Sequence, residues 1–404
     1  MVPVGLPVIE DGAVLVRGGK IIEVGFFRNL KKETDKIFDH EGAVLVPGLI
    51  NCHTHLELSF LEDLGRDNSF FTAGDIPAWI YALVHKRAEL SDNVATNESL
   101  ARRTLEKMYH SGVVAAADIG NLGESAAISK NSPVRTLFFL ESFGLRAAEI
   151  SAVENKLAGF NDLSWTGHSL YSTHSELIRR FKMRSLERND IFPIHIAESA
   201  AEVEYLQTGE GPFADFFIKR LSETEADNDP RMDDIFTPPG KGAVAYLADI
   251  GCLDAETICV HCVHVDDSEI DLLAESQAAV CLCPGSNQYL GVGKAPAAMF
   301  LKKGVRTCLG TDSLASNPQL SLWNEMELIA RQNQDIRSEV IFKMATSNGA
   351  EVLGIDQNYG TLAPGKKATI LAVKGLEAKK DDVYECLVHA GTTPNIDIIE
   401  GIYD

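Results

Sequence analysis

Eight short, apolar, β-branched runs recur along this chain, separated by longer stretches with helical spacing. They cover residues 43–51, 113–118, 135–141, 164–171, 192–197, 257–261, 279–283 and 305–310. Strands this apolar, alternating with helices, are buried on both faces and so belong in a parallel sheet covered by helices. We expect an α/β fold in which they close as a (β/α)8 TIM-type barrel rather than an open doubly wound sheet. Periodicity alone does not separate the two. The choice rests on the polar residues that end the runs.

The two ends of the chain read differently. Residues 11–25 spell two strands joined by Gly18-Gly19, and 360–373 spell a turn followed by a strand. Neither end is long enough to fold alone, so we expect them to combine into one small β-sandwich. The expected domains are 1–43 (N-terminal part of the sandwich), 44–356 (barrel) and 357–404 (C-terminal part). Helices are expected at 98–110 and 338–352, the second stopped by Gly354.

Of the 404 residues, 37 are Lys or Arg and 58 are Asp or Glu, a net charge of −21. So acidic a surface repels phosphate backbones and anionic lipids, so a small-molecule substrate is expected and neither nucleic acid nor membrane. Residues 1–10 lack the basic start of a signal peptide, and the eight cysteines lie mostly inside apolar runs without a disulfide framework. A cytoplasmic location follows as the expectation. Cys281 and Cys283 lack the second pair that a zinc ribbon needs. Nothing in the sequence fixes the oligomeric state, for which a homodimer is one option.

The sharpest local signal is Pro47-Gly-Leu-Ile-Asn-Cys-His53-Thr-His55. Residues two apart on a strand point the same way, so both imidazoles can face one ion at the C-terminal end of a barrel strand. Alone, the pair is weak evidence. The fifth run, however, ends in His195-Ile-Ala-Glu198, the sixth in His261-Cys-Val-His264 and the eighth in Gly310-Thr-Asp312. With only eleven histidines in the chain, this placement at strand ends is not a scatter. His40, His85, His110 and His389 lie away from strand ends, and surface or satisfied core roles are expected for them.

These motifs, together with Cys283-Pro-Gly-Ser-Asn287, resemble the amidohydrolase superfamily, in its branch of aminated-heterocycle deaminases and related chlorohydrolases, over essentially the whole length. The resemblance implies that His53, His55, His195 and Asp312 bind one divalent ion, Zn2+ by default, with Fe2+ or Mn2+ also suited to such ligands. It implies that Glu198 is the proton shuttle and His261 the polarising histidine, with Asp312 both ligand and proton acceptor. His168, in Gly167-His-Ser-Leu-Tyr-Ser172, matches a substrate-contacting histidine. Glu57 could touch substrate or cap a helix, and a turn role competes with substrate contact for Asn287. Family members with two metals carry a carboxylated lysine at the end of the fourth strand; residues 164–172 contain no lysine, so one ion is expected.

A bound ion lowers the pKa of its water from 15.7 to about 7, which suits hydrolysis at neutral pH. The segments 53–59, 237–241 and 310–317 are most similar to aminodeoxyfutalosine deaminases, with S-adenosylhomocysteine, methylthioadenosine or adenosine deaminases as nearest rivals. The expected reaction is therefore hydrolytic deamination of an aminopurine nucleoside. The alternative is cleavage of another C–N or C–Cl bond, as in a triazine chlorohydrolase or cyclic amidase. The connection 206–241 is long for a βα unit. Its Phe213, Phe216 and Phe217 are expected to form part of a lid, and its acidic run 222–234 to be lid or solvated loop.

Overall fold

In the computed structural model, residues 1–34, 36–67, 69–90, 94–224 and 236–399 are described. Each of the eight runs contains a strand. They are β4 (Leu49–Thr54), β5 (Val113–Gly120), β6 (Arg135–Ser142), β7 (Ser164–Gly167), β8 (Phe192–Ile196), β9 (Thr257–His261), β10 (Ala279–Leu282) and β11 (Arg306–Leu309). The remaining five are β1 (Gly12–Arg17), β2 (Lys20–Phe26), β3 (Val44–Pro47), β12 (Ile370–Val373) and β13 (Ile396–Ile399).

The eight form two four-stranded parallel sheets, in the orders β4-β5-β6-β7 and β11-β10-β9-β8. All residues of β4, β5, β8 and β9 are buried, as strands covered on both faces must be. The two sheets are joined at two seams. Thr54 bridges Asp312 beyond β11, and Ser169 beyond β7 bridges His195, both in parallel sense. At the first seam the N–H groups of Thr311 and Asp312 both donate to the His53 carbonyl at 3.0 Å; at the second, His195 N–H donates to the His168 carbonyl at 3.0 Å. Both seams are thus made of residues that the sequence marks as functional.

Three expectations need correction. The run 43–51 is not one strand: β3 pairs antiparallel with β12, which also pairs with β13, whereas β4 enters the parallel sheet. Pro47 carries no N–H to continue a ladder. The next two N–H groups then go to different partners, Gly48 to Thr369 at 3.0 Å and Leu49 to Gly112 at 2.8 Å. A Cβ at position 48 would lie 2.4 Å from a Val114 methyl, so only glycine can make this crossing. The helix expected over 338–352 is broken into Ser338–Met344 and Ser347–Val352. At the break, the Ala345 carbonyl is released to accept the Ile50 N–H of β4 at 2.8 Å, a tertiary bond that periodicity cannot anticipate. The fourth run, 164–171, is strand only to Gly167, because Thr173 Oγ1 and the His168 N–H both donate to the Ser142 carbonyl and turn the chain.

β1 and β2 pair antiparallel around the Gly18-Gly19 turn, and Lys20 bridges Lys367 of the C-terminal segment. Among the described residues, no helix is long and apolar enough to cross a membrane. Most of the acidic run 222–234 lies outside the described residues.

Candidate active site

β4 and β8 deliver three imidazoles to one point. The ring centroids of His53 lie 4.7 Å from His55 and 4.8 Å from His195, and those of His55 and His195 are 5.4 Å apart. Asp312, just past β11, places Oδ1 3.7 Å from His53 Nε2 and 3.6 Å from His55 Nε2. The ring orientations are set from behind. His55 Nδ1 is 2.9 Å from the Ile119 carbonyl and His195 Nδ1 is 2.9 Å from the His168 carbonyl. A carbonyl only accepts, so each Nδ1 bears the proton and each Nε2 keeps a bare lone pair.

These residues fit a divalent cation. Both ring nitrogens of His53 are fully buried without a hydrogen-bond partner, a costly arrangement unless a ligand satisfies one of them. Burial pushes His53 down to about 4 and also lowers His55 and His195, so at neutral pH all three rings are neutral and able to donate a lone pair. His53, His55 and His195 lie close enough for one ion to be shared, and so do His53, His261 and Asp312.

Asp312 is held in place through its other oxygen. Ser286 Oγ and Ser316 Oγ donate to Oδ2 at 2.6 and 2.9 Å, which leaves Oδ1 facing the imidazoles. Burial opposes its ionisation. The imidazoles crowded around it, His53 first, outweigh this and hold the carboxyl well below its usual range. The chain reaches this point through strained backbone: Ala197, His261, Cys262 and Asp312 all have left-handed φ, between +48° and +73°. Gly310 passes so close to β4 that a Cβ there would lie 2.6 Å from His53 Cβ.

Glu198 stands outside the histidine–Asp312 set. Its Oε1 is 3.6 Å from His261 Nε2, and burial raises its carboxyl above the usual range. His261 Nδ1 lies 2.9 Å from Asn287 Oδ1, which accepts its proton and leaves the buried Nε2 without a hydrogen-bond partner. Asn287 therefore orients His261. His264, three residues on, faces away and meets the Val292 carbonyl.

The structure places the remaining candidates as follows. His168 is half-buried, with Nδ1 2.9 Å from Ser172 Oγ and its ring stacked 4.7 Å from His195; burial pushes it to about 3. Glu57, expected to touch substrate or cap a helix, is held by four donors. It accepts from Arg87 Nη2 at 2.7 Å, from the N–H groups of Asn121 and Leu122 at 2.9 and 3.2 Å, and from Ser125 Oγ at 3.3 Å. The Phe213 ring lies tilted against Tyr171, centroids 4.3 Å apart, and Phe213, Phe216 and Phe217 join a cluster with Tyr171 and Tyr205.

Several supporting residues escaped the sequence reading. Glu202, fully buried, accepts the N–H groups of Ala197 and Glu198, each at 2.8 Å. Asn51 Nδ2 donates to Thr311 Oγ1 at 2.8 Å, and its Oδ1 accepts the Thr311 N–H at 3.1 Å. Ser286 and Ser316 clamp Asp312 as described above. Asn51, two residues before His53 in an apolar run, and Ser199-x-x-Glu202, a helix-start pattern, are the signals that could have exposed two of them.

A parallel α/β fold that gathers three neutral imidazoles, an ionised carboxylate and a protonatable acid at its strand ends is that of a metal-dependent enzyme. The sequence model of the amidohydrolase family matches residues 44–398. The 5-methylthioadenosine/S-adenosylhomocysteine deaminase of Thermoanaerobacter pseudethanolicus is 27% identical over 390 residues, which cover 91% of this chain and 81% of that protein. Among solved structures, Helicobacter pylori aminofutalosine deaminase in complex with methylthio-coformycin superposes with a TM-score of 0.80 at 21% identity, covering 97% of this chain and 94% of that one. Atrazine chlorohydrolase TrzN of Arthrobacter aurescens, complexed with zinc, gives 0.77 at 17% identity, covering 97% and 90%. The chain belongs to the amidohydrolase family.

Proposed function

We propose that the protein is a mononuclear metal-dependent deaminase that releases ammonia from an aminopurine nucleoside. The observation that carries this reading is the division between two buried carboxyls. Asp312 is held ionised and turned toward the imidazoles, whereas Glu198 is raised, stands apart from them and faces His261. Deamination needs that asymmetry, because one carboxylate must stay charged while another carries a proton.

His53, His55, His195 and Asp312 would hold the ion, with zinc the metal of choice and no lysine within 164–172, at the end of β7, to recruit a second. When bound, a divalent ion supplies Lewis acidity and makes its water acidic enough to attack at neutral pH. Glu198 delivers a proton to the ring nitrogen, takes up the proton that the added hydroxyl loses as it becomes the carbonyl and passes it to the departing amine. Asp312 accepts a proton from the attacking water, and that proton restores Glu198 at the end of the cycle. His261, held in position by Asn287, accepts through its bare Nε2 a hydrogen bond from the O–H that adds to the ring carbon. Water adds, ammonia leaves, and the amino-bearing carbon becomes a carbonyl.

The two sheets, bridged at both seams, read as one closed eight-stranded barrel, and the sheet β13-β12-β3 with the β1–β2 hairpin as a small terminal β-domain. Eight free thiols suit a reducing, cytoplasmic setting. The similarity to a methylthioadenosine/S-adenosylhomocysteine deaminase supports an adenine nucleoside substituted at the 5′ position, 6-amino-6-deoxyfutalosine among them. The test is a screen of that nucleoside, 5′-methylthioadenosine, S-adenosylhomocysteine and adenosine, following ammonia release and the adenine-to-hypoxanthine absorbance change. Turnover of chlorotriazines or cyclic amides with none of these nucleosides would overturn the reading.

A further inference from the structure

One buried acid beside the site is left unused by the chemistry above. Glu141, on β6, is 4% exposed, and its Oε1 is fully buried with no hydrogen-bond partner among the described residues. It does not serve His195: His195 Nδ1 is 3.7 Å from Oε1 and already donates to the His168 carbonyl at 2.9 Å. The other oxygen is anchored. Asn121 Nδ2 donates to Oε2 at 2.9 Å, and Arg87 Nη1 in turn donates to Asn121 Oδ1 at 2.7 Å. Arg87 is itself fixed by Glu57 at 2.7 Å. A chain of three hydrogen bonds thus aims one carboxyl and leaves a single oxygen free. A carboxyl oxygen of Glu141 lies within 4.8 Å of ring nitrogens of His168 and His195, and His168 is the one of the three that is only half-buried.

A buried acceptor left without a donor is costly, and an arm built to orient it is pointless unless a donor arrives. A cation would carry its own desolvation cost into a pocket already holding a metal site, so a neutral hydroxyl is the better partner. The exocyclic amine of an aminopurine is consumed at Glu198 and the metal ligands, which leaves the sugar hydroxyls as the donors of a nucleoside. We propose that Glu141 Oε1 is a substrate-binding acceptor for a ribose hydroxyl, aimed by the Arg87–Asn121 arm. This rests on the nucleoside reading.

The test compares 5′-methylthioadenosine with its 2′-deoxy and 3′-deoxy forms, as substrates or competitive inhibitors, on metal-replete wild type and Glu141→Gln. The amide cannot both accept from Asn121 and offer a free carboxylate oxygen. The variant should keep its metal and lose roughly 10- to 100-fold in kcat/KM for the ribonucleoside, the usual cost of leaving a buried polar group without its partner. It should lose far less for the analogue lacking the contacted hydroxyl, and wild type should discriminate against that analogue by a similar factor. Equal losses on all three compounds, or loss of metal, would mean that Glu141 supports the fold or His195 and would overturn the proposal. So would a wild type that treats the three alike, a result that needs no variant to fold. A wild type that neither converts nor binds any of the three removes the nucleoside reading itself, and this contact with it.

Discussion

Glu202→Gln is the perturbation whose consequences the structure specifies most closely. Each Glu202 oxygen accepts one backbone N–H, from Ala197 and from Glu198, at 2.8 Å inside a fully buried site. An amide keeps one acceptor and turns an NH2 toward the other N–H, which orphans a buried donor at a cost of about 2 kcal/mol. Unfolding entropy of about 2.1 cal/mol/K per residue over 404 residues gives roughly 0.85 kcal/mol/K, so Tm should fall by only about 2 °C. The functional effect should be larger. Ala197 holds φ +51° and precedes the proton-carrying Glu198, so relaxation there moves the acid, and a misplacement of about 1 Å can cost 10²-fold. Calorimetry, metal analysis and steady-state kinetics on the metal-loaded enzyme read the three quantities separately. Ser199→Ala is the control: it loses the cap to the Glu202 N–H at 3.2 Å, about 1 kcal/mol, and should keep kcat. A Glu202→Gln enzyme with wild-type kcat, or one whose loss of activity tracks loss of metal, refutes the reasoning.

Glu198→Gln should retain the metal and lose about 10²–10⁴-fold in turnover; near-normal rates would remove Glu198 from the mechanism. Elemental analysis of protein purified without added metal should find about one divalent equivalent, and two would contradict the ligand set. Gly310→Ala, whose Cβ would lie 2.6 Å from His53 Cβ, should lower metal content together with Tm, and an unaltered metal stoichiometry would show that β4 can yield. Burial pushes Glu202 and Glu325 up to about 8 from an ordinary 4.5. Such raised acids stabilise the fold fully below about pH 4.5 and lose that contribution as pH rises to 8, so Tm should be lower at pH 8.5 than at pH 6; a flat or rising profile contradicts this.

Much of the architecture was legible because strands buried on both faces must be apolar, and each of the eight runs does contain a strand. The candidate ligands were legible for a related reason: histidine and aspartate have few grounds to end an apolar strand unless something there needs them. His53, His55, His195 and Asp312 do converge. Their environments were not legible, because each is set by a partner distant in sequence. The proton on His55 is placed by Ile119, that on His195 by His168 and that on His261 by Asn287. Asp312 is turned by Ser286 and Ser316. The same is true of the corrected elements. The 43–51 run divides at Pro47-Gly48 because consecutive N–H groups find partners in different sheets, and the helix over 338–352 breaks because Ala345 is needed by Ile50. Residue type and local period fixed which side chains could do chemistry. Which of them is charged, which is neutral, and which, like Glu141 Oε1, is left waiting for a donor depends on hydrogen bonds and burial that exist only once the chain has closed on itself.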